Sequence, residues 1–318
     1  MRRYTIRRLL IAIPVLFVVT ILAASLVRLA PGDAVVQAAA ESNAAVSEEQ
    51  LDAIRKELGL DRPFIVQYGD WISGVFVGDF GNSLSQGGPP VSETIKKAIP
   101  ISLQLAIMAI IISLIIALPI GIWSAIRQDS AGDYIGRLFA IAGLSVPDFI
   151  MGTMIILFGA VWFKWTPPLT YVSFSDDPGT NLQMMITPAL IVGFRLSAIT
   201  MRMLRSSMLE VLRQDYVRTA WAKGLRERTV IVRHALKNAF IPVITVIGGQ
   251  VGFLIGGVAI IESIFNLPGI GRTMITAIRA RDIPVIQTVL FFFAGAIVLI
   301  NLLVDLSYAW LDPRIRYE

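Results

Sequence analysis

The 318-residue chain contains no cysteine and a single histidine, His234. The first absence excludes disulfides, thiolate catalysis and Cys-based metal sites. The second leaves little material for a metal centre or a proton relay. Charge is scarce as well: 16% of residues are charged against 55% hydrophobic, and mean hydropathy is positive. Too little polar surface remains to clothe a water-soluble domain, so the composition describes an integral membrane protein. The net charge of +5 sits in segments flanking apolar runs, which reads as orientation in a bilayer and not as a nucleic-acid surface. Phosphate-cradling G-x-x-x-x-G-K-[ST] and metal-binding H-E-x-x-H patterns are missing, and any Ser/His/Asp constellation would need His234. Internal repeats and low-complexity tracts are missing too. The chain therefore reads as non-catalytic, with no cofactor or metal of its own, and its energy source must be another subunit or an ion gradient. Ion coupling needs carboxylates within the spans, and the candidates are few: Asp148, Asp305 and Glu262.

What is present is a set of long apolar runs. About twenty apolar residues suffice to cross the hydrocarbon as a helix. Six such spans are expected: 9–29, 101–126, 135–163, 184–208, 240–261 and 284–310. Arg2, Arg3, Arg7 and Arg8 precede the first and hold the N-terminus in the cytoplasm. The same order of charge and apolar run also describes a signal peptide, with Ala23-Ala24-Ser25 as a weak cleavage site, but the run exceeds the usual apolar core of about 7 to 15 residues. Six spans place both termini in the cytoplasm. Pro119 and Pro147 fall inside the second and third spans, where a proline removes a helical hydrogen bond and invites a kink.

Residues 1–30 form the first unit of organisation, 31–97 an extracytoplasmic insertion, and 98–318 a five-helix core. The insertion, Pro31 to Lys97, carries ten acids against five bases, which suits the external side. Within it, Ser47-Glu48-Glu49-Gln50 resembles a capping box that opens a helix ending near Gly59. Asp79-Phe80-Gly81-Asn82 and Gly87-Gly88-Pro89-Pro90 read as turns. The connection 164–183 is external, with Trp162, Trp165 and Tyr171 suited to an interfacial belt. The last external loop, Glu262 to Asp282, has Ile270, Met274, Ile275 and Ile278 at helical spacing, so a short re-entrant or interfacial helix is expected there.

The most informative segment is cytoplasmic, at about 210–239. Seven Lys/Arg face three acids between Glu210 and Ala239. Ala220 and Gly224, four apart, would form a small-residue patch on one helix face. A short helix, a bend around Gly224 and a second helix from about Arg228 to Asn238 leading into the fifth span are expected. A solvated loop that merely sets topology explains the charge but not the small face. In the spans, Arg195 is the one basic residue well inside the hydrocarbon. It either lines a polar pathway and meets a substrate carboxylate, or pairs with a backbone carbonyl or a partner subunit. Gly248, Gly252 and Gly256, with Ala259 beyond, make a small-residue stripe that serves either packing within the subunit or a gate at an interface.

The run DYVRTAWAKGLRERTVIVRHALKNAFIPVITVIG, Asp215 to Gly248, resembles the cytoplasmic coupling loop of permease subunits of bacterial ABC importers, in the variant of the dipeptide, oligopeptide and nickel class. The general motif is E-A-A, three residues, Gly, nine residues, I-x-L-P. Arg218, Thr219 and Ala220 stand for the triplet, Gly224 for the glycine, and His234, Leu236 and Lys237 for the Ile, Leu and Pro. Further landmarks resemble the first permease of such importers: Arg28-Leu29-Ala30-Pro31-Gly32-Asp33, Leu58-Gly59-Leu60-Asp61-Arg62-Pro63, Gly78-Asp79-Phe80-Gly81-Asn82-Ser83, Arg202-x-x-Arg205-Ser206-Ser207-Met208-Leu209-Glu210, Phe265-Asn266-Leu267-Pro268-Gly269-Ile270-Gly271 and Leu311-Asp312-Pro313-Arg314.

The resemblance implies an all-α, six-helix permease of the type I importer kind in a bacterial plasma membrane. It implies a second homologous permease, two ATPase subunits or one fused ATPase holding ATP and Mg2+, and an extracytoplasmic substrate-binding protein. The coupling loop, with Arg218, Thr219, Ala220, Lys223, Gly224, Leu225, His234 and Leu236, would sit in a groove on the ATPase. Arg195, Gly248, Gly252 and Gly256 remain candidates for pathway or gate. Di- and oligopeptides are the expected cargo, with nickel chelates, glutathione or oligosaccharides as alternatives. The rival of another class, an ion-coupled secondary transporter, is disfavoured by the shortage of buried acids.

Overall fold

The computed structural model describes residues 2–29, 48–49, 52, 56, 61–84 and 88–311. These are helical but for loops and one isolated bridge, Asn82 to Pro90. The helices are α1 (Arg2–Leu29), α2 (Phe64–Val77), α3 (Val91–Ile126), α4 (Ala131–Ser145), α5 (Asp148–Phe163), α6 (Pro178–Leu212), α7 (Asp215–Ala222), α8 (Lys237–Gly257), α9 (Ala259–Ile264), α10 (Ile270–Ala280) and α11 (Ile283–Leu311). A single turn, Glu227–Thr229, and a π-helical stretch, Val230–Leu236, lead into α8. The chain divides into two compact units, one of residues 1–5, 103–267 and 299–318, the other of 6–102 and 268–298.

Four helical runs among the described residues are long and apolar enough to cross a bilayer: α3, α6, residues 227–254 and 283–307. The first expected span lies in α1, which is helical over its full 28 residues. The third departs from expectation. It is not one helix over 135–163 but α4 and α5, bent by 93°. The cause is local. Proline disfavours helical backbone in the residue before it, and Val146 is extended at φ −98°, ψ 118°, so Pro147 caps a new helix instead of kinking an old one. Pro119, by contrast, lies within the unbroken α3.

In the first unit, α6 is the central element and packs on α4, α5 and α8. Small residues permit the close approach. A Cβ on Gly193 of α6 would stand 2.8 Å from the Ala109 carbonyl of α3, and one on Gly143 of α4 would stand 2.9 Å from Ala198 of α6. Gln250 of α8 donates to the Leu196 carbonyl at 3.1 Å and hydrogen-bonds the Thr200 hydroxyl of α6, joining two spans by polar contacts inside an apolar interior. Asp177 caps α6, accepting from the backbone of Gly179 and Thr180 at 2.9 and 3.1 Å. The Thr180 hydroxyl, foremost among these donors, holds its carboxyl below the usual range.

In the second unit, α10 lies against the start of α3 and of α11, with Val91, Ile95, Ile270, Ala277, Val285 and Val289 buried together. The Ser102 hydroxyl accepts from the Ile270 amide at 2.8 Å and so satisfies the start of α10. The expected helix is therefore present, but its inward face is Ile270, Gly271, Ala277 and Ala280, with Ile278 exposed. Positions 270 and 277 lie two turns apart on one stripe, whereas 278 falls off its edge. The turns around Gly78, Gly81 and Gly88 adopt positive φ, as glycine allows. They fold the chain back so that Val91 donates to the Gly81 carbonyl at 2.9 Å. Helix α2 was not expected from sequence. Its Tyr68 hydroxyl bonds Thr20 of α1 at 2.7 Å, within an aromatic group formed with Phe17, Phe64 and Trp71. Ser47, Gln50 and Gly59 of the anticipated capped helix lie outside the described residues.

Candidate functional site

The basic loop folds as a compact knob at the ends of α6 and α8. After Gln214 in extended conformation, α7 runs for eight residues and turns Val217 and Ala220 inward onto Val230, where all three are buried against Val211 and Leu212. The helix stops at Ala222. Gly224 takes φ +72°, donating to the Trp221 carbonyl at 2.9 Å, while Leu225 donates back to the Ala220 carbonyl at 3.4 Å. This is a left-handed C-terminal stop, the conformation in which glycine carries no Cβ penalty. Arg226 is extended and the chain re-enters helix at Glu227.

This geometry changes the expected small-residue patch. Ala220 and Gly224 do not share a face, because α7 ends between them and Ala220 points into the knob. A Cβ on Gly224 would meet nothing within 4 Å. The outward surface is instead Arg218, Thr219, Lys223, Gly224 and Leu225, together with Tyr216 and Trp221, the latter 44% exposed. Sequence reasoning passed over these two aromatics, although an aromatic in a solvated basic loop is itself a contact signal. The Tyr216 hydroxyl accepts from the Asn238 side chain at 2.7 Å, bracing α7 against the start of α8. His234 and Leu236 are half-buried in the π-helical stretch and stand behind the knob. The Arg218 to Asp215 pair, 3.5 Å apart and exposed on both sides, adds little.

Among the pathway candidates, Arg195 of α6 donates to Asp148 of α5 at 3.1 Å and lies over the Phe253 ring of α8, 5.2 Å from its centroid. Its partner is thus a side chain of its own subunit. The pair is unsaturated. Arg195 is 37% exposed, Asp148 13%, and the second Asp148 oxygen, Oδ1, is buried with no hydrogen-bond partner. The glycine stripe on α8 is not uniform. A Cβ on Gly248 would collide with Val304 of α11, whereas one on Gly252 would meet nothing within 4 Å. Gly256 lies within the same helix.

A second charged cluster was missed entirely. Asp133, in the first turn of α4, is fully buried and accepts from Arg205 of α6 at 2.7 and 2.8 Å, from Arg137 Nε at 3.1 Å and again from the Arg137 guanidinium, from the Ser124 hydroxyl, and from the Asp129 amide at 3.0 Å. Asp133 and Arg137 are four apart and could be paired from sequence. Arg205 is 72 residues away, and only the packing of α4 on α6 reveals it.

Residues 117–317 match the family model described as binding-protein-dependent transport system inner membrane component, and residues 1–106 match the model of the N-terminal part of such membrane components. Relatives include a putative peptide permease protein of Brucella ovis, 40% identical over 322 residues and covering 99% of each chain. A probable peptide ABC transporter permease protein of Sinorhizobium fredii is 40% identical over 314 residues, with 99% of each covered. A glutathione transport system permease protein of Pectobacterium atrosepticum is 37% identical over 322 residues, with 100% of each covered. Among solved structures, a chain of the MetNI methionine ABC transporter in an inward-facing conformation superposes with TM-score 0.54 at 15% identity, covering 69% of this chain and 96% of that one. At that identity the likeness concerns the fold.

Proposed function

On the premise that the chain belongs to the family of binding-protein-dependent transport system inner membrane components, and so resides in the inner membrane, we propose that it is the permease subunit of an ATP-driven importer of di- and oligopeptides. It crosses the membrane six times with both termini in the cytoplasm. It pairs with a second permease, receives cargo from an extracytoplasmic binding protein, and is driven by ATPases that hold ATP and Mg2+. The observation that carries the reading is the knob: an exposed aromatic and basic surface, held by a buried Val217-Ala220-Val230 core at the ends of two long helices. A push on such a knob moves α6 and α8 as rigid bodies instead of dissipating in a loose loop.

Peptide cargo is the chemistry that Arg195 suits. A free peptide carboxylate matches the guanidinium that Asp148 engages through a single hydrogen bond. Glutathione, a tripeptide with free carboxylates, belongs to the same chemical class, and the Pectobacterium relative makes it the second reading.

Gly224→Leu tests the coupling role. The backbone at φ +72° costs a side chain about 1 kcal/mol or more, and the added bulk projects into open space where the ATPase would dock. The expected outcome is a membrane-inserted chain that no longer co-purifies with its ATPases and does not support uptake. Co-purification and uptake equal to the parent would remove the knob from coupling.

A further inference from the structure

A groove of about 780 Å³ opens between α4 and α6, apart from the knob and from Arg195. The two helices run antiparallel here, since Asp133 meets Arg205 at one end and Gly143 meets Ala198 and Phe194 at the other. Both place cations at the same end of the groove. Arg137 of α4 and Arg202 and Arg205 of α6 form its head, and Ile141, Leu144 and Ile199 line it further along. Three arginines face two carboxylates, Asp129 and Asp133, and both carboxylates are engaged by Arg137 or Arg205. Arg202 is exposed and, among the described residues, has no hydrogen-bond or ion-pair partner. The groove therefore has a net positive head and an apolar body.

We propose that this groove binds an anionic phospholipid of the cytoplasmic leaflet, its phosphate on Arg202 beside Arg137 and its acyl chain along Ile141, Leu144 and Ile199. The leaflet rests on the orientation given above, in which the α4 start and α6 end face the cytoplasm. Anionic headgroups concentrate at such basic pockets between spans, each arginine contributing on the order of 1 kcal/mol. A free phosphate satisfies the head but leaves the apolar body uncovered, so the amphiphile is the occupant the lining selects. The clamp on Asp133 keeps Arg137 and Arg205 in place, leaving Arg202 to discriminate between headgroups.

The test is native mass spectrometry of the detergent-purified full chain with its co-purifying subunits, after exchange into micelles containing equal phosphatidylglycerol and phosphatidylcholine. Retention of phosphatidylglycerol over phosphatidylcholine is expected, falling about fivefold in Arg202→Ala and largely restored in Arg202→Lys. Ile141→Trp, which fills the body without touching charge, is expected to lower retention too. Equal retention of both lipids, or displacement of the lipid by millimolar inorganic phosphate with Ile141→Trp silent, would overturn the proposal. Because the chain has no cysteine, Ile141→Cys reports the neighbour directly. Reaction with a lipid-soluble maleimide supports the lipid, and cross-linking to the second permease overturns it. None of these readouts uses transport, so failure here leaves the importer reading standing, and loss of ATPase association in the parent chain would strike that reading alone.

Discussion

Arg195 and Arg205 lie on one helix, and each meets an aspartate in the first turn of one of the two helices, α4 and α5, that join at the Pro147 bend, yet the two pairs are built differently. Asp133 is fully buried and takes hydrogen bonds from two guanidiniums, a hydroxyl and an amide. Asp148 takes one, at 3.1 Å, and keeps a buried oxygen without a partner. A saturated carboxylate has no capacity left for a ligand, and removing it strands two cations. An unsaturated pair can exchange partners at modest cost. The same contrast between filled and open runs along α8, where Gly248 is packed against Val304 and Gly252 faces free space. Saturation, more than the presence of charge in a span, separates scaffold from candidate pathway.

The largest effect is expected at the clamp. Asp133→Ala leaves Arg205 and Arg137 without their shared carboxylate, a change that typically costs about 3 to 5 kcal/mol. It should sharply reduce the amount of folded chain in membranes and lower its thermal midpoint in detergent, with Asp133→Asn between it and the parent. A parental midpoint for Asp133→Ala would show that the cluster does not hold α4 to α6. Next comes Gly248→Ala, which forces Val304 aside and should destabilise by about 1 to 3 kcal/mol. An unchanged midpoint there would mean that α8 and α11 are not packed as described.

Arg195→Ala should cost about 1 to 3 kcal/mol, because it leaves the largely buried Asp148 carboxylate without its one hydrogen-bond donor, and Asp148→Ala less than that, while uptake of cargo with a free carboxylate falls more than uptake of amidated cargo. If both cargoes decline together, or neither does, Arg195 has no part in the pathway. A double-mutant cycle would expose their coupling. The smallest stability effect is expected at Gly252→Ala, within about 0.5 kcal/mol. On the gate reading it slows uptake, and parental uptake would leave Gly252 outside any moving surface.

Most of the helical layout was legible because apolar runs of span length have few alternatives in a bilayer. The bend at Gly224 and the helix into α8 were legible for a local reason, since glycine after a short basic helix marks a left-handed stop. The split at Pro147 was legible only as a kink, because a sequence shows that proline removes a donor but not whether the preceding residue leaves helical conformation. Helix α2 escaped notice because it is short and its Tyr68 is buried through contacts with α1.

Composition and span length by themselves determined that this is a polytopic helical chain, since both follow from hydrocarbon thickness, and runs of residues adjacent along the chain carried its resemblance to importer permeases. Tertiary structure alone decided that Ala220 faces inward, that Arg195 has Asp148 as its partner, and that Asp133 anchors Arg205 across 72 residues. Helical periodicity says which residues share a face, but which face meets which depends on packing between distant segments, and no local pattern encodes that.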